Sequence, residues 1–481
     1  MDNYNKNYIT KITLIATLGG LLFGYDTAVI SGTVGALKSF FIIPRGLDEL
    51  VANSLLGFTV SGALIGCIIG GISGGLIAKK LGRKNGMVLA AMLFLISAIG
   101  SAMPEIGFAK IGTGSHIHLT PFIIYRIIGG VGVGLASMLS PMYIAEMAPA
   151  EKRGALVSWN QFAIIFGMLI VYFVNYSIAT QGDDTWLNTV GWRWMFASET
   201  IPALIFLFFL YFAPKSSRWL ILNNREKQGL AVLEKINGKE KAKVIFEEIK
   251  GAIEHHVSPK VFSYGVLLIV IGILLSVFQQ FVGINVVLYY APEIFKTMGS
   301  GTNTALLQTI IIGVINLSFT VVAIKTVDKF GRKPLQIIGA LAMGFSMFAL
   351  GFAFFTDNVG TMALIFMLTY VAAFALSWGP VTWVLLAEIF PNKIRGKALA
   401  IAVAAQWIAN YLVSWTFPMM NNSSYLTDNF HHGFAYWIYG VMGFLAAIFV
   451  WKWVPETKGK SLEEIEKLWV NNSKNESTSE K

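Results

Sequence analysis

Apolar residues run for about twenty positions at a time, twelve times along the chain: 9–32, 52–78, 86–103, 121–144, 157–178, 194–213, 263–290, 304–325, 335–355, 362–386, 398–419 and 433–454. Polar and charged residues gather between the runs. About 20 helical residues cross a hydrocarbon core, whereas a barrel strand needs only about 10 alternating ones. Runs of this length predict an all-α membrane protein with twelve transmembrane helices, because helices satisfy their own backbone where no water can. The first run is too long for a cleaved leader and is read as the first span.

The longest polar stretch, 214–262, separates six runs from six. Its segments "NREKQGLAVLEKI" and "KVIFEEIKGAIEHH" predict short amphipathic helices. The halves repeat each other: "AEMAPAEKRG" (145–154) returns as "AEIFPNKIRG" (387–396), and "KKLGRKN" (79–85) as "DKFGRKP" (328–334). The expected layout is one six-helix bundle at 1–213, a helical linker at 214–262, a second bundle at 263–454 and a tail at 455–481.

Composition narrows the class. The chain is 55% hydrophobic and 13% charged, well under the roughly 25% charge of soluble domains. A net charge of +10 suggests nucleic acid only until its placement is examined. Lys and Arg concentrate in the tails and alternate connections, leaving Lys38, Arg45, Lys110, Arg193 and Lys296 on the other side and Arg126 inside a run. That asymmetry is a topology signal and puts both termini in the cytoplasm of a multi-pass inner (plasma) membrane protein. The lone Cys67 permits no internal disulfide. No nucleotide loop, metal-ligand cluster or nucleophile–base pair is present, so no enzyme, cofactor or metal is expected. His431 and His432 read as solvated.

Three ionisable side chains lie inside spans. Asp26 interrupts "LLFGYDTAVISG", and Arg126 and Glu199 fall in the fourth and sixth runs. A charge at the bilayer centre is unfavourable by roughly 3 kcal/mol on insertion scales, so each needs a partner or a task. At about 1.5 Å of rise per residue, all three fall at one level of the first bundle, in its outer half. Arg126 is permanently charged and calls for an acid. If Asp26 approaches and leaves it as the protein changes shape, proton affinity follows conformation. The second half has neutral Asn285 where the first has Asp26. A static ion pair is the alternative reading, though buried pairs are poor stabilisers.

Three spans also carry amides where apolar residues would do, Gln161, Gln279, Gln280, Asn285 and Gln406, with Trp383 and Trp407 adding aromatic surface. An amide both donates and accepts, which suits a neutral polyhydroxylated ligand. Any one of them could instead hold two helices together. Gly283 beside these amides and the Gly379–Pro380 pair predict breaks in spans 7 and 10, while Gly66, Gly70 and Gly74 predict close helix packing.

The motifs "GGLLFGYDTAVISG", "GLASMLSPMYIAE", "QQFVGINVVLYYAP", "VDKFGRKP", "SWGPVTWVLLAEIFP", "IRGKALA" and "PETKGK" cover nearly the whole chain. The chain thereby resembles the sugar porters of the major facilitator superfamily, and within them the bacterial proton-coupled xylose branch. The resemblance implies proton-coupled symport of a monosaccharide into the cell by alternating access, with D-xylose expected. The alternative is transport of glucose or another hexose, coupled or not. It implies proton coupling at Asp26 and Arg126, joined by Glu199, and sugar contacts at Gln161, Gln279, Gln280, Asn285, Trp383 and Gln406. Tyr289 and Tyr290 are read as an outer closure, and Arg83, Glu146, Arg153, Asp328, Arg332, Glu388 and Arg395 as cytoplasmic gating, with Glu146/Arg153 and Glu388/Arg395 expected as pairs; simple solvated pairs are the alternative. Partners are sugar, proton and lipid bilayer, without nucleic acid, and a monomer is expected. Departures are Lys79 in place of an acid or amide, Lys215 in place of Glu, and Met168, on the face of Gln161, where xylose carriers are expected to hold an amide and glucose carriers an apolar residue.

Overall fold

The computed structural model describes residues 4–110, 115–254, 261–391, 393–459, 464–465 and 469, without the side chains of residues 150, 252–254 and 328. Most of the tail and the Asp328 side chain therefore lie outside the described residues. The regular structure there is helical. Among the described residues, twelve helical stretches are long and apolar enough to cross a membrane. They are span 1 (Lys6–Gly32), span 2 (Glu49–Lys80), span 3 (Gly82–Ala102), span 4 (His116–Met147), span 5 (Arg153–Ala179) and span 6 (Asp184–Phe212). Span 7 (Val266–Thr297), span 8 (Thr302–Val327), span 9 (Arg332–Phe355), span 10 (Thr361–Ile389), span 11 (Arg395–Asn421) and span 12 (Phe434–Trp453) follow. Aromatic and aliphatic residues such as Phe208, Tyr211, Phe345 and Trp451 remain exposed along them, as a lipid-facing surface requires. The chain is a multi-pass membrane protein.

Contacts divide the chain into two units, Met1–Ile30 with Gly62–Val257, and Ser31–Ser61 with Ser258–Lys481. Residues 31–61 thus group with the second unit rather than within a 1–213 block. The reason is local. Glu49 accepts from Ser424 N at 2.6 Å and Oγ at 2.5 Å, Asn53 and Asn422 exchange amide bonds, and Trp415 Nε1 donates to the Ser54 carbonyl at 3.1 Å. The connection expected between spans 1 and 2 is also largely helical, with short turns from Val34 to Arg45.

In the first unit, backbones meet where glycines permit. A methyl group on Gly66 would strike the Ile127 carbonyl, and one on Gly70 the Val131 carbonyl, so span 2 lies directly on span 4. Gly74 faces the flexible Met138 side chain instead. The linker forms helices Ser217–Leu222, Glu226–Asn237 and Lys239–Glu254, packed on one another through Ile221, Leu233 and Ala242. Asn5 N donates to the Ile236 carbonyl at 2.9 Å and ties the start of span 1 to this layer. We term the Lys- and Arg-rich end of each unit its basic end.

Helix breaks set up the interior. In span 7 one helix ends at Phe281 and the next begins at Ile284, hinged on Gly283 at φ +92°. Span 10 breaks at Ser377, three residues before Pro380, because the proline ring takes the hydrogen-bond donor that the Leu376 carbonyl would use. Span 6 breaks at Glu199 for the same reason: Pro202 offers no N–H to the Ser198 carbonyl.

Candidate functional site

The first unit brings Asp26, Arg126 and Glu199 together in its interior, each at most 1% exposed. Arg126 Nη1 donates to Asp26 Oδ1 at 2.7 Å and Nη2 to the Asp26 carbonyl at 3.1 Å. The guanidinium carbon stands 5.3 Å from the centre of the Phe196 ring. Phe122, Trp192 and Phe196 meet edge to face beside it and close off that flank. Glu199 lies within hydrogen-bonding reach of Asp26. Yet Asp26 Oδ2 and both Glu199 oxygens have no hydrogen-bond partner among the described residues. Two ionised carboxylates only accept, so they cannot bond each other; a proton on either one makes the bond. Two acids against one permanent cation leave one negative charge uncompensated, which a single proton cancels. The break at Glu199 also turns Ser198 toward Tyr25, whose hydroxyl it meets at 2.8 Å.

Sequence reasoning missed a second buried pair, at the end of this unit opposite its basic end. Glu105 is fully buried and Arg193 grips both its oxygens, Nη1 at 2.9 Å from Oε2 and Nη2 on Oε1; Nη1 also reaches the Ala102 carbonyl at 3.1 Å. Burial alone would raise the Glu105 carboxyl, but the Arg193 bonds outweigh it and hold the group below its ordinary range. An acid in a connection and a cation at a span edge look like solvated charges in sequence.

In the second unit four amides form one net. Gln279 Nε2 donates to the Trp378 and Gly379 carbonyls at 2.8 and 3.3 Å, beside the break in span 10. Gln279 Oε1 accepts from Gln406 at 2.7 Å and from Gln280 at 3.4 Å, and Gln280 Oε1 accepts from Asn285 at 2.6 Å. The Gly283 hinge lets Gln280 and Asn285, on successive helices, face each other. Gln406 Oε1 has no partner among the described residues. Trp383 is exposed and Trp407 buried. Tyr289 and Tyr290 are buried near this net, Tyr290 bonding the Ser414 carbonyl at 2.8 Å and Tyr289 accepting from Asn410 at 3.5 Å. Such a net can exchange its internal amide bonds for bonds to ligand hydroxyls. Gln161 belongs to the first unit, half-buried on span 5, and is not part of it.

The basic ends correct the expected pairings. Glu146 takes Arg83 at 2.6 Å and Ser216 Oγ at 2.7 Å, while Arg153 donates to the Ala145 carbonyl at 3.0 Å. Glu388 takes Arg332 at 2.9 and 3.1 Å and Thr457 at 2.5 Å, while Arg395 donates to the Phe390 carbonyl at 3.2 Å. Each acid therefore pairs with the arginine at the start of the span before its own, Arg83 of span 3 and Arg332 of span 9, while Arg153 and Arg395 place Nε on a carbonyl near the end of spans 4 and 10. The Lys215 departure has a visible effect. Glu456 caps the start of span 9, accepting from Arg332 N and Lys333 N at 3.1 Å. Lys215, the counterpart, cannot accept, and its ammonium instead lies over the Trp219 ring at 5.4 Å, while Trp219 Nε1 donates to the Lys79 carbonyl. His431 and His432, expected as solvated, contact Asp357 at 3.2 Å and the Asn421 carbonyl at 2.7 Å.

Residues 12–469 match the family described as "Sugar (and other) transporter". The chain is 63% identical to the D-xylose-proton symporter of Escherichia coli strain K12, covering 98% of each chain. It is 40% identical to the glucose facilitated diffusion protein of Zymomonas mobilis, over 97% of this chain and 98% of that one. Among solved structures, the partially occluded inward-open xylose transporter XylE of E. coli superposes with a TM-score of 0.87 at 62% identity, covering 95% of this chain and 100% of that one.

Proposed function

This chain belongs to the sugar transporter family, and from that premise we propose that it is a symporter carrying D-xylose into the cell together with a proton. The observation that carries the proposal is the closed trio of Asp26, Arg126 and Glu199. Its surplus negative charge offers a place for one proton, and the Arg126–Asp26 bond gives conformational change something to make and break. Asp26 is the carrier, Arg126 its counter-ion and Glu199 the neighbour that shares the proton.

The sugar is assigned to the amides Gln279, Gln280, Asn285 and Gln406, with Trp383 lending an aromatic face. Supporting this are the net's reserve of exchangeable bonds and its place beside two helix breaks. Arg83, Glu146, Arg332 and Glu388 clamp the basic ends and, with Arg153, Asp328 and Arg395, are assigned to gating. Both termini and both basic ends are assigned to the cytoplasm, and the monomer, which holds every one of these residues, is the working unit.

Reconstituted vesicles test the proposal. Asp26→Asn is expected to abolish xylose accumulation against a gradient while leaving sugar counterflow intact, because the carboxamide keeps the shape and removes the titration. Xylose added to cells of the parent protein should alkalinise the medium. Accumulation retained in Asp26→Asn would refute the assignment.

A further inference from the structure

Asp26 is sealed, so a proton needs a way in. Its immediate surroundings are Arg126 of span 4, Glu199 of span 6 and Cys67 of span 2, which is fully buried and close enough to feel both charges. None of these leads away from the trio. Span 3 does.

Ser97 and Ser101 stand four residues apart on one face of span 3, so their hydroxyls are roughly 6 Å apart along the helix. Both side chains are completely buried, and neither hydroxyl has a hydrogen-bond partner among the described residues. Buried serines in helices ordinarily return their proton to the preceding turn, as Ser61 does to Gly57 here. Two successive hydroxyls left uncommitted on one face are therefore unusual, and both are able to accept and donate.

The inner end of this file reaches the trio. Gly129 of span 4 passes so close that a methyl group there would collide with Ser97 Oγ and lie 3.1 Å from Asp26 Oδ1, so one point on span 4 touches both groups. The helix ends at Ala102, and just beyond this outer end lies Glu105, gripped by Arg193 and close to His118. His118 Nδ1 likewise has no partner among the described residues. Span 3 runs away from the basic end, so this mouth is the one assigned to the outside.

Resting on the reading of Asp26 as proton carrier, we propose that Ser101 and Ser97 form the route by which the proton travels from the Glu105–Arg193–His118 mouth to Asp26. Water bridges each gap. Ser101 Oγ accepts a proton from an outer water and passes its own inward, Ser97 Oγ does the same, and the proton comes to rest on the Asp26 carboxylate. Each serine ends as it began, and the net change is one proton taken from the outer solution. The serines are positioning residues for the transfer and touch no sugar.

The test is Ser97→Ala with Ser101→Ala, singly and together, in reconstituted vesicles. Alanine fits these sites and removes hydroxyls without partners, so folding is preserved, and parent-level counterflow verifies it. The rate of proton-driven accumulation in the double variant is expected to fall by about a hundred-fold, the lower end of the range for losing a positioned proton-transfer group. Its solvent deuterium isotope effect should rise above that of the parent. Ser97→Thr should restore both. Gly129→Ala, which pushes the Ser97 hydroxyl from Asp26, should mimic Ser97→Ala. Accumulation at the parent rate with an unchanged isotope effect overturns the route while leaving Asp26 as carrier. An equal fall in counterflow and accumulation marks the serines as structural and also overturns it. Accumulation surviving in Asp26→Asn removes the carrier and the route together.

Discussion

Met168 is the residue where substrate preference is most open to test. It is buried on span 5, seven positions after Gln161 and on the same face. A thioether there offers no hydrogen bond worth naming, whereas an amide would add one sugar contact. Met168→Gln should therefore lower the apparent KM for xylose relative to glucose by about five-fold, the equivalent of one net hydrogen bond of about 1 kcal/mol. Competition of xylose against labelled glucose in the two proteins reads this directly, and an unchanged ratio places Met168 away from the sugar. Residues of this kind differ in how plainly they announce themselves. Asp26, Arg126 and Glu199 stood out because an ionised group inside an apolar run has few reasons to be there, and the structure joins all three. The amides stood out for the same reason, and four of them join in one net. Ser97 and Ser101 did not, since serine is common in spans and its significance lies in a hydroxyl left without a partner, which only coordinates reveal. The choice of Arg83 over Arg153 for Glu146 was also hidden, because it depends on how the connection folds back and not on spacing.

Helices here are defined as much by where they stop as by where they run. Their number and approximate limits followed from apolar run length alone, since a lipid environment permits no other solution for the backbone. The interruptions were only partly legible. Gly283 marked its own hinge, at φ +92°. Pro380 marked a break that falls nearer Leu376, because the group left unpaired by a proline is the carbonyl four residues back. Pro202 acts in the same way on Ser198 and so determines the position of Glu199, an effect missed by looking at Glu199 alone. The Gly283 hinge is the most demanding of the three. A side chain there would adopt a left-handed conformation, unfavourable by about 1–2 kcal/mol, and its Cβ would lie 2.7 Å from the Tyr439 ring. Gly283→Ala should lower the thermal midpoint of the purified protein and weaken xylose binding together, since the same turn aligns Asn285 with Gln280. Thermal unfolding with and without xylose separates these effects, and a variant with parent stability and parent affinity would show that the hinge is dispensable.

At the scale of the molecule, the uneven placement of cations is the basis of the proposed orientation, from which all directional statements follow. The twelve spans among the described residues put both termini on one side in the proposed topology, and the proposed mouth at Glu105 is assigned to the other. Only Lys38, Arg45, Lys110, Arg193 and Lys296 are assigned to that other side, and a cationic connection resists translocation, which is why the proposal assigns the basic ends to the cytoplasm. The protein is convenient for checking this because its one cysteine, Cys67, is fully buried. A membrane-impermeant maleimide should therefore find nothing to label in intact cells. Asp48, exposed between spans 1 and 2, and Lys227, exposed in the linker, lie on opposite sides in the assigned orientation. Asp48→Cys should label in intact cells, and Lys227→Cys only after the membrane is opened. The reverse pattern would invert the molecule, turn the serine file toward the cytoplasm and make it a route of proton exit.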